Sequence, residues 1–119
     1  MKAFGRGFVY AARGIAAGSG GRNFRVMLAM AVGVTGVAWW LGVSGLPGAV
    51  LALSVGLVLA LELVNTAGEL LVDILSPNHD ARYGQVKDVL AGAVLIAAVT
   101  TAVVGMLVLG PALWERLTG

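Results

Sequence analysis

Charged residues divide the chain into two long apolar stretches separated by polar regions. No charged residue occurs over 26–61 or over 89–114. The first stretch has 36 residues, and one membrane-spanning helix needs only about 20. Residues 44–48 (SGLPG) interrupt it with the Gly and Pro that mark a turn. The pattern therefore predicts three transmembrane helices, over residues 26–43, 47–71 and 88–109.

The segment before the first apolar stretch has a different pattern. Its apolar and basic residues recur at helical spacing on different sides, which is typical of a helix lying in the membrane interface. A secretory signal peptide explains it less well, because the basic part is long and no cleavage site is evident. We predict an amphipathic surface helix over residues 1–20. The apolar positions are Phe4, Phe8, Ala11, Ala12 and Ile15, and the basic ones are Lys2, Arg6 and Arg13.

Composition supports a membrane protein. Of the 119 residues, 59% are hydrophobic and 12% are charged, and the mean hydropathy is +0.93. A soluble domain of this length has too much surface to hide so much apolar material. A soluble enzyme and a nucleic-acid binder are therefore excluded. The absence of cysteine also excludes a disulfide scaffold and thiol chemistry.

The positions of Lys and Arg predict the orientation. Five of the eight lie in the first 25 residues, and the loop 73–88 carries Arg82 and Lys87. The turn at 44–48 carries none. Cytoplasmic segments are enriched in Lys and Arg. The N-terminus and the 73–88 loop are therefore predicted to be cytoplasmic.

Four polar residues form a stripe at the end of the second predicted span: Glu62, Asn65, Glu69 and Asp73. At 100° per residue they fall on one helix face about 80° wide. Glu62 follows Pro47 by 15 residues, a rise of about 22 Å in a hydrocarbon layer about 30 Å thick. Glu62 should therefore lie inside the membrane and Glu69 near the headgroups. An acid in mid-membrane costs about 3 kcal/mol, so the stripe requires an explanation.

Three interpretations of this stripe are open. In the first, it holds helices together through Asn65, with its carboxylates paired to Arg22, Arg25 or Lys87. In the second, it lines part of an ion pathway, although little polar character continues across the other spans. In the third, it is a catalytic site. Carboxylates bind Mg²⁺ and accept a proton from an alcohol, and nearby basic residues neutralise phosphate. These are the components of phosphoryl transfer from ATP to a lipid hydroxyl.

The residues of this region carry a resemblance to a known family. Two central motifs resemble the small prokaryotic diacylglycerol kinases, a family that includes undecaprenol kinases. The likeness covers nearly the whole chain in the same order. The first motif is Glu62-x-x-Asn65-Thr66-Ala67-x-Glu69-x-x-x-Asp73 and the second is Lys87-Asp88-x-x-Ala91-Gly92-Ala93-Val94-Leu95. Phe8-x-Tyr10-Ala11-x-x-Gly14 and Asn23-Phe24-Arg25 also resemble the family.

The resemblance implies a fold and an activity. It implies an all-α homotrimeric bundle in the bacterial inner membrane. The whole chain, residues 1–119, is one lipid kinase domain, with MgATP as donor, a lipid alcohol as substrate and active sites at subunit boundaries. By motif, Glu62 is the general base, Asn65 supports it and Glu69 binds Mg²⁺. The nucleotide is contacted by Tyr10, His79, Lys87 and Asp88, and Asp73 lies close by. Asn65-Thr66-Ala67 is more similar to the undecaprenol branch.

Three positions depart from the family pattern. Gly21 stands where a second metal-binding Glu is usual, so the alternative is a catalytically impaired homologue that serves as a structural or lipid-binding subunit. Gly68 replaces an Ile, which predicts a small loss of packing or a flexible point in the helix. His79 lies eight residues before Lys87 rather than seven, so a merely solvated loop histidine is the competing interpretation.

Overall fold

The computed structural model describes all 119 residues, which form four helices and no strand. The helices are α1 (Lys2–Gly18), α2 (Arg22–Trp40), α3 (Gly45–Leu75) and α4 (Ala81–Thr118). The all-helical architecture predicted from the sequence is confirmed.

The last two helices are longer than the apolar spans predicted for them. α3 continues to Leu75 and α4 begins at Ala81, seven residues before the predicted span. Hydropathy marks only the part of a helix that contacts hydrocarbon, whereas capping decides where the helix begins. Asp80 accepts a hydrogen bond from the Arg82 backbone N–H at 2.9 Å. This cap starts α4 inside the charged segment.

The connection between α2 and α3 depends on glycine. Gly42 and Gly45 have φ angles of 71° and 65°. This left-handed region is open to glycine without the steric cost that other residues meet. The turn predicted over 44–48 is therefore present, and it returns the chain antiparallel to α2.

Packing is centred on α3, which makes its most extensive contact with the antiparallel α4 and a smaller one with α2. α1 contacts α3 at the end of α1, where Gly18 lies against the Leu63 side chain. α2 approaches α4 where the Arg116 guanidinium lies 4.3 Å from the centre of the Trp40 ring. An apolar groove of about 890 Å³ separates the rest of these two helices.

The apolar surface fits a membrane protein. α3 and α4 are each long and apolar enough to cross a membrane, and the exposed large side chains are mostly hydrophobic. α2 differs because its first turn carries Arg22 and Arg25. Its apolar part, residues 26–40, has 15 residues and rises about 22 Å. The transmembrane span predicted over residues 26–43 and the homotrimer remain predictions.

The buried positions of α3 follow a single face of the helix. Leu51, Val58, Glu62, Asn65 and Val72 are the buried residues of α3, at intervals of seven, four, three and seven. These intervals are close to one or two turns of the helix, so the five residues share one face. The first two residues of the polar stripe thus lie on the packed face of α3 rather than facing lipid.

Candidate active site

The polar stripe begins in the interior of the bundle. Glu62 is 4% exposed and Asn65 is 5% exposed. Thr66 Oγ1 donates a hydrogen bond to the Glu62 backbone carbonyl at 3.0 Å. This bond engages the Thr66 hydroxyl with the α3 backbone. Within the polar stripe, the two residues that are predicted to lie deepest in the membrane are therefore also the most buried.

Asn65 links the buried part of the stripe to its exposed part. Its Nδ2 donates to Glu69 Oε1 at 3.2 Å, and Glu69 is exposed. The Asn65 Oδ1 atom is buried without a hydrogen-bond partner. Such an unpaired buried acceptor costs about 1–3 kcal/mol. The side chain therefore offers one free acceptor in the interior while it orients a carboxylate at the surface.

Asp73 and Lys87 join the exposed ends of α3 and α4. Lys87 Nζ donates to Asp73 Oδ1, and their side chains are 34% and 57% exposed. The interpretation that a stripe carboxylate pairs with Lys87 is thus confirmed for Asp73. Arg22 and Arg25 form no ion pair. A partly exposed pair of this kind contributes about 0–1 kcal/mol, so it adds little to the stability of the α3–α4 contact.

The loop between α3 and α4 is organised around Ser76 and Asp80. The Asp80 N–H donates to Ser76 Oγ at 2.9 Å, and the His79 N–H donates to the Ser76 carbonyl at 3.2 Å. Arg82 donates to Asp80 through its side chain and its backbone N–H. These bonds hold the pKa of Asp80 below its ordinary value. Asp80 is therefore already engaged and is not a free replacement for a missing metal ligand.

The remaining predicted nucleotide residues are open to solvent. Tyr10 on α1 is 63% exposed, and His79 and Asp88 are also exposed. His79 has a φ of 60°, which is unusual for a residue with a side chain. None of these three side chains forms a hydrogen bond with another predicted site residue. Their roles rest on the sequence pattern.

The acidic residues fit a metal site with a single protein carboxylate. No three Asp, Glu or His residues converge closely enough to hold an ion. Asp73 and Asp80 are paired with cations. Glu69 is exposed and has one carboxylate oxygen that Asn65 does not engage. Mg²⁺ in phosphoryl-transfer sites commonly takes one or two carboxylates and completes its shell with water and phosphate oxygens. Glu69 matches that pattern.

Gly21 is not required by the fold. It precedes α2 with φ −71° and ψ 145°, an extended conformation that any residue adopts. A Cβ added there would have no neighbour within 4 Å. The departure from the family pattern at this position therefore has no steric cause.

Gly68 is a close-packing position that the sequence interpretation missed. A Cβ built on Gly68 would overlap Leu90 Cδ1 of α4. The prediction of lost packing is wrong, because Leu90 fills the space that a side chain on α3 would occupy. Periodicity gives no signal of this contact, since it depends on the register between two helices.

The chain is similar in sequence to proteins of one known family. The family model described as prokaryotic diacylglycerol kinase matches residues 9–109. An undecaprenol kinase of Bacillus subtilis is 33% identical over 114 residues, which cover 95% of this chain and 93% of that protein. A diacylglycerol kinase of Synechocystis is 41% identical over 93 residues, covering 77% of this chain and 53% of that protein. No solved structure matches the chain.

Proposed function

The chain belongs to the prokaryotic diacylglycerol kinase family, and we propose that it transfers the γ-phosphoryl group of ATP to a lipid hydroxyl at the cytoplasmic membrane interface. One observation carries this proposal. A buried carboxylate, Glu62, and an exposed carboxylate, Glu69, lie on the same face of α3, and the buried Asn65 between them donates a hydrogen bond to Glu69. A lipid kinase needs a proton acceptor within reach of a membrane alcohol and a phosphate-binding group in water.

Glu62 is the general base in this proposal. Its carboxylate takes the proton of the lipid hydroxyl while the hydroxyl oxygen attacks the γ-phosphorus. The bond from that phosphorus to the bridging oxygen breaks, and ADP leaves with the electron pair. Burial keeps water away from Glu62, so that the alcohol rather than water is the acceptor. Asn65 supports the base in this proposal, because its free Oδ1 would accept a hydrogen bond from the Glu62 carboxyl once that group has taken the proton.

The nucleotide occupies the exposed end of the stripe. Glu69 is the residue that would hold Mg²⁺, which when bound offsets negative charge on the phosphates. Lys87 is paired with Asp73 and supplies positive charge for the phosphates. Asp88, Tyr10 and His79 are proposed nucleotide contacts on the strength of the family motif.

The substrate is proposed to be undecaprenol or diacylglycerol, with undecaprenol favoured. The Bacillus subtilis relative named undecaprenol kinase matches over nearly its full length, and Asn65-Thr66-Ala67 resembles that branch. We place the protein in the bacterial inner membrane with the N-terminus and site cytoplasmic, because Lys and Arg concentrate there. A homotrimer is proposed from the family resemblance.

The test is MgATP-dependent phosphorylation in mixed detergent–lipid micelles, with undecaprenol and diacylglycerol offered side by side. Glu62→Gln should abolish product formation without changing assembly. Glu115→Gln is the matched control, because Glu115 is exposed near the opposite end of the bundle. Equal loss in both variants would contradict a specific role for Glu62. Phosphorylation of diacylglycerol alone would contradict the preference for undecaprenol.

A second candidate is a catalytically impaired homologue that acts as a structural or lipid-binding subunit. The lack of a three-residue acidic cluster and the presence of Gly21 favour it. Folded, oligomeric wild-type protein would then turn over neither lipid, and Gly21→Glu would be expected to gain activity. Wild-type turnover that depends on Glu62 rules this candidate out.

A further inference from the structure

Gly68 is the only glycine of α2, α3 and α4 against which a side chain of another helix packs, and that side chain is Leu90. A Cβ on Gly68 would overlap Leu90 Cδ1 and would lie 3.3 Å from Cγ and 3.4 Å from Cδ2. The Leu90 side chain therefore lies directly over the Gly68 backbone. Elsewhere in α2, α3 and α4, no glycine has a side chain of a different helix in the space of its missing Cβ. This contact fixes α4 against α3 at a specific position along both helices.

The contact lies at the level of the proposed site. Gly68 immediately precedes Glu69, and Leu90 follows Lys87 by three residues. Asp73 lies five residues after Gly68, which is about 7.5 Å further along α3. Because α4 is antiparallel to α3, Lys87 lies about 4.5 Å from Leu90 in the same direction. The flexible Lys87 side chain spans the difference. The Gly68–Leu90 contact and the Asp73–Lys87 ion pair are therefore two points of one interface.

We propose that Gly68 and Leu90 are positioning residues that set the register of α4 on α3, and thereby hold Lys87 and Asp88 where the nucleotide binds. This inference rests on the proposed function for the role of the nucleotide. The ion pair alone is a poor anchor, because its members are partly exposed and such pairs contribute little. The apolar contact determines the register, and the ion pair follows it.

The two halves of the site respond differently to a change in this register. Asn65 and Glu69 are both on α3, so their hydrogen bond is local and does not depend on α4. Lys87 and Asp88 are on α4 and move with it. A displaced α4 should therefore weaken nucleotide binding while the base and its support stay in place. This predicts a raised KM for MgATP with a smaller change in kcat.

Gly68→Ala is the direct test, with Gly56→Ala as the matched control on the same helix. The control adds the same methyl group where nothing lies within 4 Å. Gly68→Ala should raise KM for MgATP about tenfold and change kcat by less than about threefold. Combining it with Leu90→Ala should restore KM, because the new methyl group then occupies the space that Leu90 leaves. Gly56→Ala should alter neither constant.

A second measurement needs no enzyme activity. The chain has no cysteine, so an Asp73→Cys and Lys87→Cys pair can be joined by a short bifunctional thiol reagent. Gly68→Ala should slow this cross-linking severalfold, and adding Leu90→Ala should restore it. If Gly68→Ala does not assemble, Leu90→Ala alone removes the contact without overlap and should also raise KM.

The outcomes separate this inference from the proposed function. Altered cross-linking, together with a wild-type protein that phosphorylates neither lipid, would support the contact and contradict the function. Altered cross-linking with an unchanged KM would reduce the contact to ordinary packing and overturn the positioning role. Unchanged cross-linking in Gly68→Ala would overturn the inference directly.

Discussion

Replacing Asn65 with Leu should separate the functional role of the polar stripe from its contribution to stability. Asn65 is 5% exposed, its Oδ1 has no hydrogen-bond partner, and its Nδ2 donates to Glu69 Oε1. Leu has a similar size and no polar atom. The substitution therefore removes the unpaired acceptor and the hydrogen bond together, while the packing of α3 is retained.

The two energetic consequences nearly offset each other. Removing the unpaired buried oxygen should stabilise the fold by about 1–3 kcal/mol. Losing a hydrogen bond to a charged group should cost about 1.5–3 kcal/mol, near the lower end here because Glu69 is exposed and water can replace the donor. The free energy of unfolding should thus stay within about 1 kcal/mol of the wild-type value. Turnover should fall about 100-fold, because Glu62 loses its supporting acceptor and Glu69 loses the donor that positions it.

The assay pairs thermal unfolding in lipid–detergent micelles with turnover at saturating MgATP. Asn65→Ala is the companion variant, and it should be equally inactive but less stable because it leaves a cavity. A loss of more than about 3 kcal/mol in Asn65→Leu, with turnover retained by the folded fraction, would refute the reasoning. Asn65 would then hold the helices together rather than serve the reaction.

Three further predictions concern the boundary regions of the site. Gly21→Glu should assemble normally, since nothing lies within 4 Å of a Cβ at this position. The variant should need a lower Mg²⁺ concentration for half-maximal turnover. An unchanged Mg²⁺ dependence would show that the side chain at position 21 does not reach the metal. His79→Gly should stabilise the loop by about 1 kcal/mol, because glycine tolerates the φ of 60°, and a raised KM for ATP would reveal a nucleotide contact. The hydrogen bonds from Arg82 lower the pKa of Asp80 in the folded protein. The stability that these bonds provide is therefore present above the unfolded carboxyl pKa of about 3.9, and it is lost as pH falls through the lower folded pKa. Asp80→Asn should remove that acid-dependent part, which thermal unfolding from about pH 5 to pH 2 would measure.

The sequence predicted most of what depends on spacing along a single helix. The intervals between Glu62, Asn65, Glu69 and Asp73 place them on one face of α3, and the structure buries the first two on that face with Val58. The resemblance to the family, which rests on the motifs that contain these residues, is also confirmed. Helical periodicity is fixed by backbone geometry, so these relations do not depend on how the helices pack.

Relations between helices could not be predicted in the same way. Leu90 is one of many apolar residues in α4, and nothing in its spacing marks it as the partner of Gly68. The early start of α4 could have been found, because Asp80 is a favourable N-cap residue ahead of a helix-forming segment. The prediction from hydropathy missed this signal, because hydropathy detects only the apolar, lipid-facing part of the helix.

The course of α3 across the membrane boundary explains why one helix can serve both parts of the proposed reaction. A lipid hydroxyl and ATP are found in different media, and a catalyst must present a protected base to one and charged groups to the other. The interval from Glu62 to Glu69 is seven residues, which is close to two helical turns and about 10 Å. It keeps both carboxylates on one face while their exposure changes from buried to exposed. Asn65 lies between them, and its hydrogen bond to Glu69 connects the two environments. Moving Glu62 by one position would turn it about 100° away from this face, so the proposed reaction depends on the helical register as much as on the residues themselves.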